Sequence, residues 1–442
     1  MKNILLCTTA LFGLAAGSAF ASEDVAVTFG GQSKFEAGTK SQDSKHKQAL
    51  SFSPNSKSSA FYTTQKASLK AEGKSDSLTY GAVLRLQMIG NGSDGMGDAR
   101  NDRSHIYLDT DAGSVQLGSN FSASKLMQVD ASTIASATGG IDGDWTNFAN
   151  TNAYNLKGTE GKAVTYNGNQ TLTDANVEDS IANSFAVSSV DTLGNRIDTG
   201  ESSRKITYLS PKISGVQLGV SFAPDLNNTS GNNMLTSSNV NKDGTVTTVS
   251  ETYFGMPVRV KNVWSLGLSY TNDFDGVNVA FAAVADKGDA KNQQKTSETK
   301  DGVVTKSTDA PFAVNNLRTY SIGAVVGTNG FSVAASYHND GKSLKPKEED
   351  SIKSSWWTTG VAYENGPMST SLTYLSGEKK NKDSTVGVKT QVLSLGADYE
   401  VAPGLKPFAE VTMVKFKPKN TTVKTDSQAK ATVFMLGTKV KF

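Results

Sequence analysis

The chain of 442 residues has one cysteine, three histidines and almost no net charge, with 44 Lys and Arg against 42 Asp and Glu. Each scarcity excludes something. A lone Cys7 cannot build a disulfide framework. His46, His105 and His338 stand far apart and belong to no HExxH or Ser-His-Asp pattern. No catalytic residue, metal or cofactor is therefore expected. Balanced charge argues against nucleic acid as a partner. Beyond residue 21 the chain also lacks any apolar run near the ~20 residues a membrane helix needs. If it enters a membrane, it can do so only as a closed barrel, where every backbone group is paired.

The first 21 residues are the exception. "MKNILLCTTALFGLAAGSAFA" carries Lys2, then an apolar run, then Ala19-Phe20-Ala21. This is the pattern of a secretory signal peptide cleaved after Ala21. Its removal takes the only Cys and one Lys, so residues 22–442 are cysteine-free, with 43 basic residues (44 less Lys2) against 42 acidic. Exported without disulfides, the chain must draw its stability from elsewhere.

What is abundant is alternation. From residue 25 the apolar period is two. "VAVTFGGQSKFEA" sets Val25, Val27, Phe29, Phe35 and Ala37 against Gln32, Lys34 and Glu36; "TYGAVLRLQM" sets Leu84, Leu86 and Met88 against Arg85 and Gln87. About sixteen such segments follow one another, each with the length of a half-buried or membrane strand. Tight connections rich in Gly, Pro, Asn and Asp, such as "TDAG", "GTNG", "ENGP" and "VAPG", alternate with long polar ones, such as 225–261, 288–315, 339–353 and 418–429. Seven short and eight long connections join sixteen strands and leave both ends on the short-turn side. That pattern predicts an all-β transmembrane antiparallel barrel with short periplasmic turns and long external loops. Tyr80, Tyr208, Trp264, Tyr270, Tyr337, Tyr363, Tyr374 and Tyr399 fall near strand ends on the apolar face, as a membrane aromatic girdle would.

The chain ends on "MLGTKVKF", where Phe442, Val440, Leu436 and Phe434 share one face and Lys441 and Lys439 the other. A terminal strand of this kind must close the barrel against the first, around residues 25–37, so that no edge stays open. Phe442 then marks the periplasmic interface.

Two hairpins carry a family likeness. "RSHIYLDTDAGSVQLGS" (103–119) and "RKITYLSPKISGVQLGVSFAP" (204–224) resemble the hairpins before and after the constriction loop of the general porins of Gram-negative bacteria, in particular the alphaproteobacterial type. Phe442 with Val440 and Leu436 is similar to the signal read by the barrel-assembly machinery. The resemblance covers residues 22–442. It implies an outer-membrane homotrimer of sixteen-stranded barrels, in contact with lipopolysaccharide and lipid, that passes ions and small hydrophilic solutes. In such porins the third external loop folds into the lumen and sets acidic residues against a basic wall. Here that loop would span 120–203, with Asp130, Asp142, Asp144, Asp174, Glu178, Asp179, Asp191 and Asp198. "TGGIDGDW" is similar to the family's Gly-rich acidic tip, which makes Asp142 and Asp144 the leading eyelet acids, with Asp130 a further candidate. External loop 2, about 89–102, would latch over a neighbouring barrel.

Parity assigns the wall. Lys34, Lys66, Lys70, Arg85, Arg103 and Lys205 fall opposite the apolar residues and hence toward a wet lumen. Arg318 shares parity with Tyr320 and Ile322 and reads as a strand-end or rim residue. Opposed charges across a narrow wet gap would bias ions. The segments "NGSDGMGDAR" (91–100), "NQQKTSETKDG" and "KPKEED" read as solvated loops. The alternative function on the same fold is an adhesin or structural barrel with a plugged lumen.

Overall fold

The structure, a computed structural model, describes residues 25–42, 58–91, 98–149, 203–226, 236–240, 246–250, 258–292, 295–300, 303–309, 315–343, 353–380, 386–420 and 429–442. Twenty strands run in order: β1 (Val25–Gln42), β2 (Ser59–Ser75), β3 (Leu78–Asn91), β4 (Asp98–Thr110), β5 (Gly113–Ser119), β6 (Arg204–Leu209), β7 (Val216–Asp225), β8 (Thr236–Val240), β9 (Val246–Ser250), β10 (Val258–Phe274) and β11 (Val277–Asn292), followed by β12 (Lys295–Lys300), β13 (Val303–Asp309), β14 (Leu317–Thr328), β15 (Phe331–Gly341), β16 (Lys353–Asn365), β17 (Met368–Lys380), β18 (Val386–Tyr399), β19 (Leu405–Asn420) and β20 (Ala429–Lys441). Sixteen of them, all but β8, β9, β12 and β13, close one antiparallel barrel in chain order. Among the described residues, no helix is long and apolar enough to cross a membrane.

The barrel faces follow the alternation. Along β14, Leu317, Thr319, Ser321, Gly323 and Val325 are buried, whereas Arg318, Tyr320, Ile322 and Val326 are exposed. The outward set is apolar, as the lipid face of a membrane barrel would be: Phe29, Leu69, Leu84, Ile106, Leu218 and Leu395 are all large and exposed. Tight turns hold the hairpins. Asp275-Gly276 and Asn329-Gly330 both take positive φ, at 51° and 85° and at 49° and 83°. That pair of left-handed residues makes a type I′ turn, whose twist matches the strands it joins.

The seam closes as the terminal alternation requires. β20 pairs with β1 from Gln32↔Lys441 to Gln42↔Ala431. Phe442 adds two backbone bonds: its N–H donates to Gly31 O at 3.1 Å, and Gly31 N–H donates to Phe442 O at 2.8 Å. Its ring lies 6.1 Å from that of Phe29. A Cβ on Gly31 would stand 2.9 Å from Phe442 Cζ, so glycine makes room for the terminal ring. Leu436, Val440 and Phe442 are exposed on the outer face.

Two connections differ from expectation. Segments 225–261 and 288–315, which read as polar loops, contribute β8, β9, β12 and β13 to a second sheet of order β13-β12-β9-β8. Their alternation is of Thr, Ser and Val, as in "VTTVS" and "VVTKSTD". β-branched residues favour strands, but without a large apolar face they give no periodic hydrophobic signal.

Between β5 and β6 the chain turns inward. Described to residue 149, it forms α1 (Ala123–Met127), a 3-10 turn at Ala131–Ile134, a second at Gly140–Asp142, and α2 (Trp145–Phe148). α1 packs on β6, β7, β10 and β11; the first turn on β15, β16 and β17; the second on β17, β18 and β19; α2 on β20, β1 and β2. This inner belt therefore follows the wall from β6 round to β2.

Candidate pore constriction

The belt is seated by wall side chains that accept its backbone N–H groups. Ala123 N donates to Ser221 Oγ (2.7 Å), Ala131 N to Thr358 Oγ1 (3.1 Å), Ser136 N to Ser371 Oγ (2.8 Å), and Ile141 N to Thr373 Oγ1 (3.1 Å). Near its tip the acceptors become carboxylates. Ala137 N donates to Asp398 Oδ2 at 2.8 Å, and Thr138 donates through N (2.9 Å) and Oγ1 (2.8 Å) to Glu410 Oε2. Buried backbone donors need such partners, because the sheet has none left to offer. Lys439 Nζ donates in turn to Ala137 O.

Glycines let the belt come this close. The inward face of β7 and β10 carries Gly219 and Gly267, a cross-strand pair whose missing Cβ atoms would stand 2.6 and 2.5 Å from Met127 Sδ. Gly323 lies under Val129 O, Gly360 beside Ala131, Gly396 beside Ser136 and Ala137, and Gly38 under the Phe148 ring. The tip needs its own glycines. Gly139 and Gly140 take φ of 126° and 66°, a region open mainly to glycine.

The predicted residues are distributed as follows. Asp144, at the start of α2, is paired with Lys34 of β1, which also lies 3.2 Å from Glu36 Oε1. Asp142 is exposed at the end of the second turn. Asp130 is turned back on its own chain as a cap: its Oδ1 accepts from Ser132 N at 2.8 Å, and Gln128 Nε2 donates to its Oδ2 at 3.2 Å. Arg85 of β3 pairs with Asp102 of β4, not with the belt acids. Arg103 lies over the Phe121 ring, 3.6 Å from its centroid. Lys205 donates to the carbonyls of Asn120 and, at 2.9 Å, Ser203, so it ties the belt's root to β6. Lys66 stands on β2, opposite Gln32 and Gln87. Lys70 is bonded to Glu72 at 2.6 Å.

Sequence reasoning missed Asp102, Glu36, Asp398 and Glu410. Asp102 is reoriented by a bulge: Arg85 pairs with Arg103 but Leu86 with Asn101, so one residue is skipped. Simple parity fails at such a step. The three others fall at inward positions on strands, where a buried acid needs a partner. Of the histidines, His338 is fully buried, stacked on Trp356 at 3.6 Å and 3.2 Å from Asp340 Oδ1. His105 lies on β4, and His46 is outside the described residues, as are Asp174, Glu178, Asp179, Asp191, Asp198, the predicted leader and residues 92–97 of the predicted latch.

The sixteen barrel strands close on themselves around an inner belt that follows the fifth of them, and a sequence model of the Gram-negative porins matches residues 8–419. The chain belongs to the Gram-negative porin family. An uncharacterized protein of Rickettsia conorii is 29% identical over 469 residues and is covered in full, as is this chain. Another, of Rickettsia prowazekii, is 30% identical over 366 residues, covering 77% of this chain and 76% of that one. Among solved structures, a loop-deletion mutant of OmpT, an outer membrane protein of Vibrio cholerae, superposes with a TM-score of 0.51 at 11% identity, over 95% of this porin and all of that chain. A mutant of the Rh. blastica porin gives 0.48 at 14% identity, over 94% and 100%. The protein is thus an outer-membrane porin, with its apolar strand faces turned to lipid.

Proposed function

We propose that this porin is a passive, water-filled channel for ions and small hydrophilic solutes, narrowed by the belt at 120–149. The observation that carries this reading is the belt's course: it follows the inner wall from β6 to β2 instead of covering the mouth. Asp142 and Asp144 supply its negative charge. Lys34, Lys66, Arg85, Arg103 and Lys205 supply positive charge on the wall. Charges in a low-dielectric, water-filled constriction act strongly on passing ions. The pairing partners sharpen the expectation. Losing Asp144 leaves Lys34 without its belt partner, and losing Arg85 leaves Asp102 uncompensated.

The test is planar-bilayer conductance with reversal potentials in a salt gradient. Arg85→Ala with Arg103→Ala is expected to shift selectivity toward cations, and Asp142→Asn with Asp144→Asn toward anions. No shift from either pair would place these residues outside the constriction. No conductance at all from folded protein would favour a plugged adhesin or structural barrel. The same reading includes export through a leader cleaved after Ala21, assembly by the barrel-assembly machinery through the Phe442 strand, contact with lipopolysaccharide, and a homotrimer in the outer membrane.

A further inference from the structure

The strands that close the barrel come from opposite ends of the chain. Their pairing therefore has the longest sequence separation in the barrel and the largest loop-closure cost. The belt tip sits on this seam. On the β20 side, Thr138 is bonded to Glu410 of β19, and Lys439 of β20 donates to Ala137 O. On the β1 side, Asp144 is paired with Lys34, and Phe148 lies over Gly38. Apolar packing repeats the pattern. Trp145, Phe148 and Ala149 share one buried cluster with Val414 of β19 and Ala431, Val433 and Met435 of β20, and Ala60 and Tyr62 of β2 pack against it. Tyr62 meets Phe148 edge-on at 4.9 Å.

We propose that residues 137–148 act as a strap across the closing seam, so that belt seating and the pairing of β1 with β20 form one cooperative event. Polar and apolar contacts both span the seam within this one short stretch. With the strap seated, β20 can leave only by exposing the shared cluster and breaking the Lys439 contact with Ala137 O, and β1 only by unpairing Lys34 from Asp144 and uncovering Phe148. The inference holds whether or not the lumen conducts.

The test uses the full chain refolded into detergent micelles, with the compact, heat-modifiable band on gels as readout. Trp145→Ala with Phe148→Ala removes apolar bulk at the seam. Leu126→Ala with Met127→Ala removes it from α1, which packs on β6, β7, β10 and β11, away from the seam. The seam pair is expected to slow appearance of the compact band and to lower the temperature at which it is lost, beyond the effect of the α1 pair. Gln32→Cys with Lys441→Cys then adds a cross-link at a directly opposed pair of β1 and β20. Oxidation should restore the seam pair to the behaviour of the cross-linked parent and leave the α1 pair unrestored. If the alanine seam pair does not refold, Phe148→Leu carries the same comparison. Equal effects of the two belt pairs, or a seam defect that the cross-link does not restore, would overturn the proposal.

Discussion

Among the described glycines, Gly323 is the one whose added Cβ would come nearest to another atom, and there a methyl group has a calculable consequence. A Cβ at this position would lie 1.9 Å from Val129 O and 2.9 Å from Val129 C, both backbone atoms that no rotamer change can move aside. Ordinary contact begins near 3.4 Å, so the belt must withdraw toward the lumen by about 1.5 Å. Overpacking of this kind costs ~1–3 kcal/mol. The Ala131 N to Thr358 Oγ1 bond, 3.1 Å long and two residues on, would stretch beyond hydrogen-bonding range. Its loss adds about 1 kcal/mol. Gly323→Ala is thus expected to destabilise the seated belt by about 2–4 kcal/mol. Gly396 and Gly360 provide an internal scale. Their nearest clashes are at 3.1 Å, with Ala137 Cβ and Thr373 Cγ2, so the neighbours need yield only a few tenths of an ångström. The assay is the loss temperature of the compact band together with single-channel conductance. Gly323→Ala should lower both; Gly396→Ala and Gly360→Ala should stay near the parent. Equal behaviour of the three variants would refute the reasoning, because it would mean that Val129 does not lie on Gly323.

Deleting Phe442 removes two backbone bonds to Gly31 and the ring contact with Phe29. Barrel assembly should slow, and an unchanged rate would count against the terminal aromatic as an anchor. In mild detergent the protein should have the mass of three chains; a monomeric mass would refute the homotrimer. N-terminal sequencing of outer-membrane protein should begin at Ser22, and retention of residues 1–21 on most molecules would exclude the predicted processing.

The barrel was legible because lipid and lumen enforce one rule on every strand. A residue faces one or the other, and its neighbour faces the opposite side. That is why Arg318, which shares parity with Tyr320 and Ile322, is exposed with them on one face of β14. The rule carries no information on distance across the lumen. Lys34 and Asp144 lie 110 positions apart, and nothing periodic links a strand to a loop tip. Nor does parity survive a bulge. At Asp102 a single skipped residue gives Arg85 a partner on the adjacent strand, which no alternation pattern shows.

The belt itself left a trace in the sequence. A strand glycine costs roughly 0.5–1 kcal/mol relative to alanine, so a strand interior tends to avoid it. Gly38, Gly219, Gly267, Gly323, Gly360 and Gly396 nevertheless stand mid-strand on six different strands, all at inward parity. Had lipid been the reason, they would have fallen on the outer face. Had the lumen there been only water, alanine or serine would have served better. Glycine at inward positions on so many strands means that something lies close against the wall from inside. In the structure it is backbone at Gly323 and side chains of the same segment at Gly38, Gly219 and Gly267. The width of the lumen at this level is thus set partly by the smallest residues of the wall, since a methyl added at Gly323 would displace the belt inward.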